Sequence, residues 1–176
     1  MKFQPTDLPG VVRVRLEPVA DARGFFARLF CPDEFAAAGY AFAPAQMSLS
    51  RNAATHTLRG LHFQTAPFAE SKLVRVVRGS VHDVVVDLRP ESPAYRRSTA
   101  ALLSADNGEA LLIPQGCAHG FLTLEDETDV LYQIDRPHAP GHSRGIRYDD
   151  PALAIAWPAA PRVIGPADLA WPALDA

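Results

Sequence analysis

Gly108-Glu109-Ala110-Leu111-Leu112-Ile113-Pro114-Gln115-Gly116-Cys117-Ala118-His119 is the stretch whose reading decides the fold. It contains a turn glycine, a short apolar strand, a tight Pro-x-Gly turn and a histidine carried on the following strand. Working outward, the same punctuation recurs. Val11–Leu16, Gly24–Phe30, Leu73–Arg78, Val81–Leu88, Ser98–Leu103, Gly120–Leu124 and Asp129–Ile134 are rich in β-branched and aromatic residues, the types that suit a pleated surface. Turn clusters such as Arg89-Pro90-Glu91-Ser92-Pro93 and Ala105-Asp106-Asn107-Gly108 separate them. Arg78-Gly79-Ser80 joins two of these runs and reads as a hairpin. Helix signals are few. Pro32–Gly39 has an early proline, acids in its first turn and a closing glycine, which predicts one short helix. Residues 159–176 leave room for another turn or two. Many short, evenly spaced strands predict an all-β fold, a β-sandwich or jelly-roll barrel with one or two short helices.

The bulk properties narrow the function classes. At 176 residues the chain is expected to form one domain over 1–176, large enough to bury about 70% of its unfolded surface. A net charge of −3 gives no general attraction for nucleic acid, although a local basic pocket for one phosphate ligand is compatible with it. Cys31 and Cys117 form neither a C-x-x-C motif nor a disulfide framework, which favours a reducing compartment. The N-terminal segment lacks the apolar core of a secretion signal, and no run approaches 18 apolar residues. The expectation is a cytoplasmic protein with no membrane or nucleic-acid partner.

The Gly108–His119 stretch resembles the second half of the cupin signature. Metal-binding cupins usually add a His-x-His pair and a glutamate earlier in the chain. The matching segment here is Arg59-Gly60-Leu61-His62-Phe63-Gln64, and the glutamate position is Lys72. A lysine ammonium stands where a divalent cation would need an anionic ligand. The expectation is a metal-free site that retains His62 and His119, with no cofactor.

Further segments carry a more specific resemblance. They include Asp21-Ala22-Arg23-Gly24-Phe25-Phe26, Leu58-Arg59-Gly60-Leu61-His62-Phe63-Gln64, Lys72-Leu73-Val74-Arg75 and Asp83-Val84-Val85-Val86-Asp87-Leu88-Arg89. Val130-Leu131-Tyr132, Arg144-Gly145-Ile146-Arg147-Tyr148-Asp149-Asp150-Pro151 and Ile155-Ala156-Trp157-Pro158 extend the series. From about residue 10 to residue 158 the chain resembles the dTDP-4-dehydrorhamnose 3,5-epimerase family of metal-free cupins.

That resemblance implies inversion of carbon 3, carbon 5 or both, beside the carbon 4 ketone of a nucleotide-linked 4-keto-6-deoxy hexose. Removing a proton beside a ketone makes an enolate, so the site needs a base, a stabiliser for the oxyanion and an acid on the opposite face. By motif position His62 resembles the base and Asp150 the carboxylate that orients it, with Asp83 as second choice. Lys72 resembles the oxyanion stabiliser and Tyr132 the acid. Arg23 and Arg59 resemble the family's diphosphate ligands. His119, Gln46, Ser48 and Arg147 resemble further substrate contacts. A homodimer is implied, with the N-terminal strands as candidate interface.

Departures from the family pattern fall at Arg28, at Gln46-Met47-Ser48 and in the loop Arg136–Ser143. These positions bear on base and sugar recognition rather than on proton transfer. Two other functions compete: a sugar 3,4-ketoisomerase, for which Gln64 two residues beyond His62 is a poor fit, and a non-catalytic nucleotide-sugar-binding cupin.

Overall fold

The structure, a computed structural model, describes residues 1–174. Its strands, in chain order, are β1 (Lys2–Pro5), β2 (Val12–Arg15), β3 (Val19–Asp21), β4 (Gly24–Phe26), β5 (Gln46–Asn52), β6 (Thr57–Gln64), β7 (Lys72–Arg78), β8 (Ser80–Asp87), β9 (Ser98–Ser104), β10 (Ala110–Ile113), β11 (Cys117–Thr123), β12 (Thr128–Ile134), β13 (Ser143–Gly145) and β14 (Val163–Ile164). Helix α1 spans Pro32–Ala37 and α2 spans Pro166–Leu169. One sheet has the order β1-β2-β10-β7-β12-β5 and the other β13-β6-β11-β8-β9, with β14 also paired to β6. This is the all-β cupin sandwich expected, with two short helices.

Side-chain alternation explains why two sheets form. In β7, Val74 and Val76 join the core between the sheets, whereas Leu73 faces the layer that contains α1. Leu111 and Ile113 of β10 point inward, and Ala110 and Leu112 outward. On the opposing sheet, Val81, Val85, Cys117 and Phe121 face inward, while Val84, Val86 and Ala118 face a third cluster with Leu61, Ile146 and Leu153. These strands are apolar on both faces because each face is covered. Burying a Val, Leu or Phe contributes about 1.5–3 kcal/mol, so the three clusters together carry most of the driving force for folding. Helix α1 starts at a proline with Asp33 and Glu34 in its first turn. It inserts Phe35, with no solvent exposure, among Phe3, Phe30 and Phe42.

One local reading is corrected. The expected hairpin at Arg78-Gly79-Ser80 is a crossover: β7 pairs with β10 and β12, and β8 pairs with β9 and β11. Both flanking runs are buried on two faces, so each is a central strand and they belong to different sheets. Gly79 takes the corner at φ +73°, where an added Cβ would collide with Thr128. The Pro114-Gln115-Gly116 turn likewise carries the chain from β10 in one sheet to β11 in the other. That second crossover places His119 on the wall facing β7 and β12.

Candidate active site

The space between the sheets is a cavity of about 280 Å³ lined by Ser48, Ser50, Arg59, His62, Glu70, Lys72, His119, Tyr132 and Ile134. One wall is β6 and β11, which contribute Arg59, His62 and His119. The facing wall is β5, β7 and β12, with Ser48, Ser50, Lys72 and Tyr132.

Strict alternation would send Arg59 and His62, three residues apart, to opposite faces. A bulge brings them to the same face. His119 pairs with His62 and Phe121 with Arg59, so three steps on β6 oppose two on β11. Two glycines make this possible. A Cβ on Gly60, which sits at φ +124°, would lie 2.6 Å from the Cα of Gly120, and a Cβ on Gly120 would lie 2.7 Å from the Arg59 carbonyl oxygen. Only a Gly–Gly contact lets the strands approach this closely.

The His62 ring is held through Nε2, 2.6 Å from Asp168 Oδ1. The carboxylate also accepts the Gly60 N–H at 3.2 Å and the Trp171 indole N–H at 3.3 Å. Burial raises the Asp168 pKa, but the hydrogen bond and charge of His62, aided by those two donors, outweigh it and hold the carboxyl below its ordinary value. With the Nε2 proton directed at a carboxylate, Nδ1 keeps the lone pair and is free to accept a proton. Asp168 is delivered by the tail: β14 runs parallel to the start of β6, and α2 follows at once. Trp171 then lies against Gly145, where any Cβ would fall 2.4 Å from its ring.

His119 is 2.8 Å from Asp83 through Nε2, and both side chains are buried. Its ring meets Tyr132 edge-on at 5.9 Å. Burial, with the nearby Asp83 charge, pushes the Tyr132 phenol well above its usual pKa, partly offset by Arg59. The phenol is therefore a neutral proton donor throughout the physiological range. The Lys72 ammonium donates to the His62 carbonyl at 3.3 Å and pairs with Glu70 at 3.1 Å. The Arg59 Nε donates to the Asn52 side-chain oxygen at 2.8 Å, and Arg59 lines the cavity. No cluster of three or more His, Cys, Asp or Glu side chains arranged to hold a metal ion occurs among the described residues.

The structure thus brings His62, Lys72, Tyr132, Arg59, His119 and Ser48 together. Asp150 is not among them. The expectation that it orients His62 is replaced by Asp168, because Asp150 accepts the backbone N–H groups of Ala152 and Leu174 at 2.8 and 2.6 Å and caps a turn. Asp83, the second choice, serves His119. Gln46 lies on the edge strand β5 and accepts the His138 N–H, beside a larger cavity of about 520 Å³ at Phe68 and the Arg136–Pro140 loop. Arg147 pairs with its neighbour Asp149, and Arg23, 90% exposed, pairs with Asp21 on the separate β3–β4 hairpin. Neither lines the cavity. Asp168 and Glu70 were missed: the motif resemblance stopped at residue 158, before α2. The spacing Glu70-Ser71-Lys72 was the available hint of the second.

Comparison with known proteins identifies the family to which this sequence and fold are similar. The family model described as dTDP-4-dehydrorhamnose 3,5-epimerase matches residues 5–176. The dTDP-4-dehydrorhamnose 3,5-epimerase of Sinorhizobium fredii is 41% identical over 158 residues, 90% of this chain and 81% of that protein. The crystal structure of the Bacillus anthracis dTDP-4-dehydrorhamnose 3,5-epimerase, with TDP and PPi bound, superposes with a TM-score of 0.96 at 36% identity and covers 98% of this chain and 99% of that one. A Legionella pneumophila dTDP-6-deoxy-D-glucose-3,5-epimerase in complex with dTDP-4-keto-L-rhamnose gives 0.93 at 33% identity, covering 99% and 93%. Sequence, fold and cavity lead to one conclusion: the chain belongs to the dTDP-4-dehydrorhamnose 3,5-epimerase family.

Proposed function

We propose that this chain is an isomerase that inverts carbon 3, carbon 5 or both of a dTDP-linked 4-keto-6-deoxy hexose. The observation that carries the reading is the placement of the candidate base and acid on facing sheets, His62 on β6 and Tyr132 on β12, across one cavity. A sugar between them meets imidazole on one face and phenol on the other.

His62 Nδ1 takes the proton beside the ketone, and the C–H electron pair moves into the carbonyl to form an enolate. Asp168 stabilises the imidazolium that results. The Lys72 ammonium donates to the enolate oxygen, an interaction of about 3 kcal/mol when a donor is fixed in a site shielded from water. Tyr132 protonates the carbon from the opposite face, which inverts it, and solvent exchange restores both groups. Arg59 offers its fork to the diphosphate. Ser48 and His119 meet the sugar, and Gln46 lies towards the nucleotide end. The whole chain acts as one catalytic domain.

The dimer and the location belong to the same reading. The β3–β4 hairpin stands apart from both sheets and exposes Val19, Phe25 and Phe26 by 74, 68 and 80%. Apolar exposure of that extent suits burial against a second copy, and a homodimer would carry Arg23 towards the partner's diphosphate. Two free thiols fit the reducing cytoplasm, where nucleotide sugars for polysaccharide assembly are made.

The test is incubation with dTDP-4-keto-6-deoxyglucose in deuterated water, followed by NMR. Deuterium should enter at carbon 3, carbon 5 or both, and the pattern defines the regiochemistry. His62→Asn should abolish exchange, whereas Tyr132→Phe should retain exchange and lose inversion. No exchange with this substrate, alongside tight binding, would replace the enzyme with a binding module.

A further inference from the structure

Lys72 is buried, its side chain 9% exposed, and an ammonium has three N–H donors in fixed tetrahedral directions. One reaches the His62 carbonyl oxygen, and the ammonium nitrogen forms an ion pair with a Glu70 carboxylate oxygen at 3.1 Å. Glu70 is equally buried, and its second oxygen accepts the Gln64 side-chain amide at 2.6 Å. Gln64 in turn donates to the Phe68 carbonyl at 3.2 Å and accepts the Ala139 N–H at 2.8 Å. The lysine is therefore held by one hydrogen bond and one ion pair within a chain of contacts anchored in two loops, with donor capacity left for the cavity. From this geometry we propose that Glu70 is a positioning residue for catalysis, which aims a free Lys72 N–H at the substrate carbonyl oxygen.

A flexible four-carbon side chain loses directional precision when its anchor is removed, and an oxyanion donor displaced by about 1 Å can cost on the order of a hundredfold in rate. Charge enters as well. The charged and titratable groups that share this cavity with Lys72 are His62 and Arg59 from β6, His119 from β11 and Tyr132 from β12, with Glu70 beside it. Glu70 is the only carboxylate among them, so it is the direct counter-ion of the ammonium. Gln64, at the second histidine position of metal-binding cupins, holds that counter-ion in place.

The inference rests on the epimerase reading, and the experiment separates the two. Lys2 and Lys72 are the only lysines of the chain, so 15N-lysine labelling yields two side-chain ammonium signals. In the parent protein the Lys72 ammonium protons should exchange with solvent at least tenfold more slowly than those of the exposed Lys2. Equal exchange overturns the proposal without any variant being made. Glu70→Gln should speed Lys72 proton exchange, lower kcat for deuterium incorporation at least tenfold and leave KM within threefold. Parent-like turnover of Glu70→Gln, or a loss shared between kcat and KM with the Lys72 signal unchanged, also overturns it. Should the variant not fold, the parent measurement still decides. A parent that shows no deuterium incorporation refutes the epimerase reading instead, whatever the lysine signals show.

Discussion

Replacing Asp168 by Asn tests whether the tail carboxylate belongs to the chemistry. Two unit charges about 4 Å apart interact by about 4 kcal/mol near a protein surface. The His62 side chain is 43% exposed and Asp168 only 11%, so solvent screening reduces this to roughly 2 kcal/mol. Losing that support for the imidazolium slows deprotonation about 30-fold. A second effect has the same sign. Asn can present an N–H to His62 Nε2, which moves the imidazole proton to Nδ1 and removes the lone pair that accepts the substrate proton. In serine-protease triads the corresponding tautomer error lowers kcat by about 10⁴. The expected loss in kcat therefore lies between about 30-fold and about 10⁴-fold, with KM little changed because Asp168 does not line the cavity. Rates of deuterium incorporation by NMR over a range of substrate concentrations measure it. A variant within threefold of the parent kcat would show that Asp168 merely fastens the C-terminal segment, and the proposed pairing of base and carboxylate would fail.

Asp150→Ala should produce the opposite pattern. It frees two backbone N–H groups at a cost of about 1–3 kcal/mol, so Tm should fall by on the order of 5 °C while exchange per folded molecule persists; calorimetry with a rate assay checks both. Gly60→Ala should cost about 1–3 kcal/mol through the backbone clash with Gly120 and His119. By displacing Arg59 it should also raise KM more than it lowers kcat, which steady-state kinetics would separate. Burial pushes the Cys117 thiol up from 9.0 to about 12, so iodoacetamide at pH 8 should spare it in the native protein and label it after unfolding, as read by mass spectrometry. Because the folded-state pKa is raised, the associated stability is fully present below 9.0 and is lost as pH rises through about 12.

The Gly108–His119 stretch and the apolar runs around it were enough to specify an all-β sandwich, because strand alternation and Pro/Gly turns are local signals. His62, Lys72, Tyr132, Arg59 and His119 were legible for a different reason: each sits inside a short motif. Local signals could not assign strands to sheets. The runs on either side of Gly79 are both apolar, and a hairpin and a crossover look alike until the partners of each strand are known. Asp150 was misassigned for a related reason. It lies in a matching motif, but whether a carboxylate faces a histidine or caps a turn depends on the path of the chain around it. Asp168 stands 106 residues from His62, in an Ala- and Pro-rich tail with no periodic pattern to mark it. Only the parallel docking of β14 onto β6, followed by the turn of α2, brings it to the imidazole. Composition and spacing determine which side chains are available and what each stretch of backbone prefers. Which carboxylate meets which base is decided by long-range burial, and that is settled only when the sheets close on one another.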